Sequence, residues 1–136
     1  MIDWDDAQLF RYKATIERVL DGDTIHVMVD LGMKQYVYKE VRMVGFEGAY
    51  VDAPETRLYR GVTEEEKKMG LEVKAKAEQL MPVGSEIRVI SHRDKSGKYG
   101  RMLATVYLPL SDDEDRQWYS YVDYMVSIGY DMGLEK

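Results

Sequence analysis

Three separated segments of this chain combine acidic residues and arginines with turn-forming residues. The first is Asp21-Gly22-Asp23-Thr24. Residues two apart on extended chain point to the same side, so Asp21 and Asp23 can offer two carboxylates to a hard cation such as calcium. Turns of this composition are also common without any metal. The second segment covers residues 41–56, VRMVGFEGAYVDAPET. Arg42 stands there in an apolar strand, where an arginine either snorkels at an edge or, if it points inward, requires a protein carboxylate or a phosphate. Asp52-Ala53-Pro54-Glu55 follows as a rigid turn. In the third segment, Lys98-Tyr99-Gly100-Arg101, Gly100 lets the chain approach closely and Arg101 opens a strand.

The elements that must carry these residues are legible from pattern. Residues 12–29 alternate and are rich in β-branched side chains, which reads as two strands joined at residues 21–23 with Gly22 supplying backbone freedom. A third strand is predicted over about 35–46, after a turn at Gly32. Thr63 and Glu66 have the spacing of a capping box, and Glu64 and Glu65 suit the positive end of a helix dipole. Met69, Val73, Ala77 and Leu80 then recur at helical spacing as a core-facing stripe, and Pro82 and Gly84 end the helix. Two strands follow, about 86–91 and 102–108, around a polar turn at 94–97. A last helix is predicted over 118–128, with Tyr121, Met125 and Ile128 on one side and a stop at Gly129. Three strands, a helix, two strands and a helix suit a small, mainly β, α+β fold: a five-stranded OB-type barrel with two helices.

Composition sets the class. A chain of 136 residues suits one domain, with a core over about 11–129 and an acidic extension at 1–10. It has no cysteine, so neither a disulfide framework nor a thiolate metal site is available, and His26 and His92 are too few for a zinc cluster. No apolar run approaches the roughly 20 residues of a membrane span. The start, MIDWDDAQ, is acidic where a secretory signal is basic and then apolar, so a cytoplasmic chain without a membrane partner is expected. The net charge is −6, but residues 11–108 hold 17 Lys and Arg against 15 Asp and Glu. The excess acid lies at the ends, in Asp3, Asp5, Asp6 and the run from Asp112 to Asp115. Non-specific attraction to nucleic acid is therefore expected to be weak, with specificity arising at a site.

Taken in order, DGDT at 21–24, Arg42, VDAPE at 51–55, the helix after Thr63 and DKSGKYGR at 94–101 resemble the staphylococcal (micrococcal) nuclease family, in its intracellular bacterial or phage branch, over roughly 11–129. The resemblance implies an OB-fold enzyme that cuts DNA or RNA with calcium. By it, Asp23 and Asp52 are metal carboxylates, the carbonyl of Ala53 is a further ligand and Asp21 is a nearby acid shaping the site. Glu55 positions or activates the attacking water, Arg42 and Arg101 clamp the phosphate, and Lys98 and Tyr99 border the nucleotide. Such chemistry is physically coherent: phosphodiester cleavage needs an in-line water, neutralised non-bridging oxygens and donors that strengthen as charge builds.

The chain departs from the family pattern in spacing. Asp52 stands ten positions after Arg42, where the family has five, so about five extra residues fall near 47–51. Either Asp52 keeps its place and the insertion bulges out, or Glu47 replaces it and Glu55 moves away. The intact Asp-Ala-Pro-Glu turn favours the first, because loops accept insertions at little entropic cost. The resemblance also implies a third, C-terminal helix that has no counterpart before Lys136, so the chain is expected to be a monomer, or a homodimer if a partner covers the exposed face. The rival class is a catalytically impaired module of the same fold that binds nucleic acid or protein. Such modules typically lose their carboxylates or arginines, whereas a full set stands here. His92-Arg93-Asp94 lacks the downstream asparagine of a kinase loop, and SGKYG lacks the Ser or Thr that closes a P-loop.

Overall fold

A computed structural model describes residues 1–6, 9–46, 64–92, 102–113 and 115–130. The strands are β1 (Arg11–Asp21), β2 (Thr24–Gly32), β3 (Gln35–Val44), β4 (Glu86–His92), β5 (Met102–Pro109) and a short β6 (Trp118–Ser120); the helices are α1 (Glu64–Leu80) and α2 (Tyr121–Ser127). Strand order is β3-β2-β1-β4-β5-β6, and a parallel β3–β5 pairing closes the first five into a barrel. This is the expected OB-like α+β architecture, with β6 as an added strand on β5.

Closure follows from local irregularities. On β1, Ala14 and Ile16 face the core, yet the next buried side chain is Val19. A register shift between Ile16 and Arg18 inserts one residue against β2, which reverses the inward parity and bends the strand. On β2, Ile25, Val27 and Val29 alternate inward without interruption. Val41 and Met43 of β3, Ile87 and Val89 of β4, and Ala104, Val106 and Leu108 of β5 complete the inner layer. The β2–β3 hairpin turns at Met33-Lys34, both at positive φ (55° and 59°), the sign pattern of a type I′ turn built without glycine at its centre.

Helix α1 lies against β1 and buries Gly70, Val73 and Ala77, continued by Met81. The predicted stripe placed Met69 in the core. It stands instead at the edge, 36% exposed, and the small Gly70 takes the buried position, where the helix backbone can approach the barrel. The connection to β4 is tied to β1 by Gly84 N–H donating to Ile16 O (2.8 Å) and Ile16 N–H donating to Ser85 O (3.0 Å). Gly84 holds φ +88°, a conformation that a side chain would strain.

The predicted helix at 118–128 is corrected at its start and in the packing of Ile128, while its stop at Gly129 is as expected. Trp118 to Ser120 pair with Pro109 to Tyr107, and the helix starts only at Tyr121, capped by the Ser120 hydroxyl accepting from Asp123 N–H (3.4 Å). At the other end Tyr130 N–H donates to Met125 O and Gly129 N–H to Val126 O, each at 3.0 Å. With Gly129 at φ 103°, this is a Schellman motif, and it leaves Ile128 largely exposed, not packed. Among the described residues no helix is long and apolar enough to cross a membrane.

Candidate functional site

The acid-rich turn sits between β1 and β2. Asp21 pairs with Thr24 across the two-residue turn Gly22-Asp23. A register shift before Asp21, together with the turn, interrupts the extended chain, so the alternation rule does not carry from Asp21 to Asp23. Other contacts orient the turn instead. Asp23 Oδ1 accepts from the Thr24 hydroxyl (2.9 Å), and Asp23 O accepts from Met43 N–H (2.7 Å), locking the turn to β3 beside Arg42. Both aspartates are half-buried, at a solvent boundary.

Arg42 resolves between the two alternatives open for a strand arginine. Its neighbours Val41 and Met43 are fully buried, so Arg42 is on the outer face of the barrel, half-buried. Paired residues share a face, and the ladders give one continuous row: Asp21 with Thr24, Thr24 with Arg42, Arg42 with Leu103, and Leu103 with His92. Residues far apart in sequence thereby come to one level of the wall. Met102, which begins β5 directly after Arg101, pairs with Val41, next to Arg42. Arg101 itself, with Lys98, Tyr99, Asp52, Ala53, Glu55, Glu47 and Thr63, lies outside the described residues.

Helix α2 braces this end of the barrel through two residues that sequence reasoning did not single out for that task. Tyr121 is fully buried and its hydroxyl donates to Gly22 O at 2.7 Å, clamping the turn between the two aspartates. Burial, reinforced by the nearby Asp23 charge, pushes the Tyr121 phenol well above the ordinary tyrosine value, so it stays a neutral donor. Asp123 Oδ2 accepts from Phe46 N–H (2.8 Å), fixing the chain where it leaves β3 toward the Asp-Ala-Pro-Glu segment. The signal available in sequence was the Ser120-x-x-Asp123 capping pattern, which places Tyr121 and Asp123 in the first turn of the helix.

His92 is half-buried, and burial holds its pKa below the ordinary histidine value. The Thr105 hydroxyl donates to Gly45 O (2.9 Å), so toward His92 Nε2 (2.7 Å) it acts as acceptor and the imidazole carries its proton on Nε2. This chain of bonds joins β4, β5 and the end of β3. His26 bridges Tyr38 and Glu40 on the β2–β3 ribbon, at 2.8 and 3.0 Å, as a structural strand residue.

The donors at the turn fit calcium in kind, since both are carboxylate oxygens. Calcium takes six to eight oxygens, and among the described residues no group of three or more His, Cys, Asp or Glu is assembled. Asp52 and Ala53 are the remaining candidates. Comparison of the chain with protein-family models and with curated proteins gives no match.

Proposed function

We propose that the chain is a calcium-dependent nuclease that hydrolyses phosphodiester bonds of DNA or RNA. The observation that carries this reading is the row that sets the Asp21–Asp23 turn beside Arg42, with the start of β5 alongside. Acidic residues and an arginine carried on adjoining strand ends at a half-buried edge suit a phosphate bound together with a cation. Asp23 and Asp52, with the Ala53 carbonyl and with Asp21 as the nearby acid, would hold the ion. When bound, calcium neutralises charge on the non-bridging oxygens.

The chain's own groups do the rest. Arg42 and Arg101 each present a planar fork to two phosphate oxygens and cannot deprotonate. Their bonds strengthen as the phosphorane gains charge. Glu55 orients the water that attacks phosphorus in line. The P–O bond to the leaving sugar breaks, and the water's proton ends on that oxygen. Lys98 and Tyr99 border the nucleotide. A glutamate acting as general base contributes roughly 10²–10⁴-fold.

Digestion of denatured DNA in millimolar calcium, with EGTA as control, tests the reading with Glu55→Ala and Arg101→Ala. Cutting that requires calcium and is lost in both variants supports it. A folded protein that never cuts moves the chain to the rival class, the binding module.

A further inference from the structure

Beyond the row that carries Arg42, the same outer face continues into a groove of about 560 Å³ on β1, β4 and β5. Its floor is laid out by register. Arg11 pairs with Ile90 and Ile90 with Thr105; Lys13 pairs with Arg88 and Arg88 with Tyr107. His92, Ile90 and Arg88 alternate on β4, so these two rows follow the His92–Leu103–Arg42 row at steps of roughly 7 Å. Three cations thus stand on an apolar and aromatic floor, although Arg88 Nη1 also binds Glu86 Oε1 (2.6 Å) and its guanidinium lies over Trp118 (4.4 Å). Phe46 forms one wall, 61% exposed, and is held there by the bond from its N–H to Asp123.

We propose that this groove is a binding track for single-stranded nucleic acid, running from the candidate cleavage site across β5, β4 and β1. The inference rests on the nuclease reading and adds where the strand lies beyond the scissile phosphate. Charge complementarity selects a polyanion: Arg11 and Lys13 are exposed on one face of β1, two residues apart, in a chain whose net charge is −6. The ring of Phe46 and the half-buried Tyr107 select a partner with stackable faces, which single-stranded bases offer and duplex phosphates alone do not. The groove lies on the same sheet face as Arg42, two pairing rows further along β4, with the intervening Thr105 covered by Gly45, and this shared face favours the substrate itself over an unrelated anion.

The test is fluorescence anisotropy of a dye-labelled twelve-nucleotide oligothymidylate in EDTA, where cutting is absent. Lys13→Glu combined with Arg11→Glu is expected to weaken binding at least tenfold and to flatten the salt dependence by about 0.7 in log–log slope for each phosphate no longer neutralised. Phe46→Ala is expected to weaken it about tenfold, the scale of one missing stack. Lys13→Arg keeps the charge and retains binding, which guards against a folding artefact, and Tyr36→Ala on the β2–β3 face leaves it unchanged. No binding by the wild type, or equal binding by the charge-reversed variant, overturns the proposal. So does binding of free thymidine phosphate as tight as that of the oligomer, which would mean a small-anion pocket. Oligomer binding that is lost in the variants while no calcium-dependent cutting exists would keep the track and remove the nuclease. Cutting of dilute long DNA at the wild-type rate by the variants would do the reverse.

Discussion

Tyr121→Phe isolates one bond that ties helix α2 to the acid-rich turn. The ring is fully buried and phenylalanine fills the same space, so no cavity forms and only the hydroxyl is lost. Gly22 O, itself in a buried residue, then loses its 2.7 Å donor. An unsatisfied buried carbonyl costs about 1–3 kcal/mol, and a midpoint of about 2 kcal/mol lowers Tm by roughly 6–10 °C in a chain of this size. Urea unfolding monitored by circular dichroism reads this directly, with Tyr36→Phe, on an exposed strand, as a control expected to stay within about 0.5 kcal/mol. The pH dependence adds a second signature. The phenol's folded pKa is raised, so the unfolded chain releases its proton first, from about pH 10. Wild-type stability is therefore intact below pH 10 and falls above it, by about 1.4 kcal/mol per pH unit from this group, while Tyr121→Phe lacks that loss. A loss under 0.5 kcal/mol at pH 7, or parallel alkaline profiles, would refute the clamp.

Other consequences are as direct. His92 has a folded pKa held below its ordinary 6.5, so its contribution is present above pH 6.5 and is lost as pH falls from there; His92→Gln should flatten this part of the acid limb in pH-dependent melts. Lys34→Gly, at φ 59° in the β2–β3 turn, should raise stability by about 1 kcal/mol, because a side chain in the left-handed region is strained; an unchanged urea midpoint would contradict it. Asp123→Ala removes the acceptor for Phe46 N–H and should cost about 1 kcal/mol in urea unfolding, and it should slow cutting by more than that loss alone explains.

The barrel was legible because its signals are local. Alternation at Ile25, Val27 and Val29, the Pro82–Gly84 stop and the Gly129 stop each act within a few residues. What escaped was set across the fold. The bulge after Ile16 changes which face of β1 is buried, and only pairing with β2 reveals it. Trp118 carries the right spacing for a helix, yet pairing with Pro109 draws it into β6 and Ser120 starts the helix later. At the candidate site, the residue types at 21, 23 and 42 suggested a metal and phosphate chemistry from sequence alone. The register that sets Thr24 against Arg42, and the 99-residue span from Gly22 to Tyr121, leave no trace in local sequence. Tyr121 read as packing for that reason: its ring is packing, and only its hydroxyl is specific.

Asp23, proposed to help hold calcium for cleavage at Arg42, is probed by the rate of cutting denatured DNA against free calcium, for wild type and Asp23→Asn. Asparagine keeps the size of the side chain and an oxygen for the Thr24 hydroxyl, so the turn is preserved while the charge is lost. No cutting without calcium and at least a tenfold higher calcium requirement for the variant are expected. Equal rates with and without chelator, or superimposable calcium curves for the two proteins, would contradict that role.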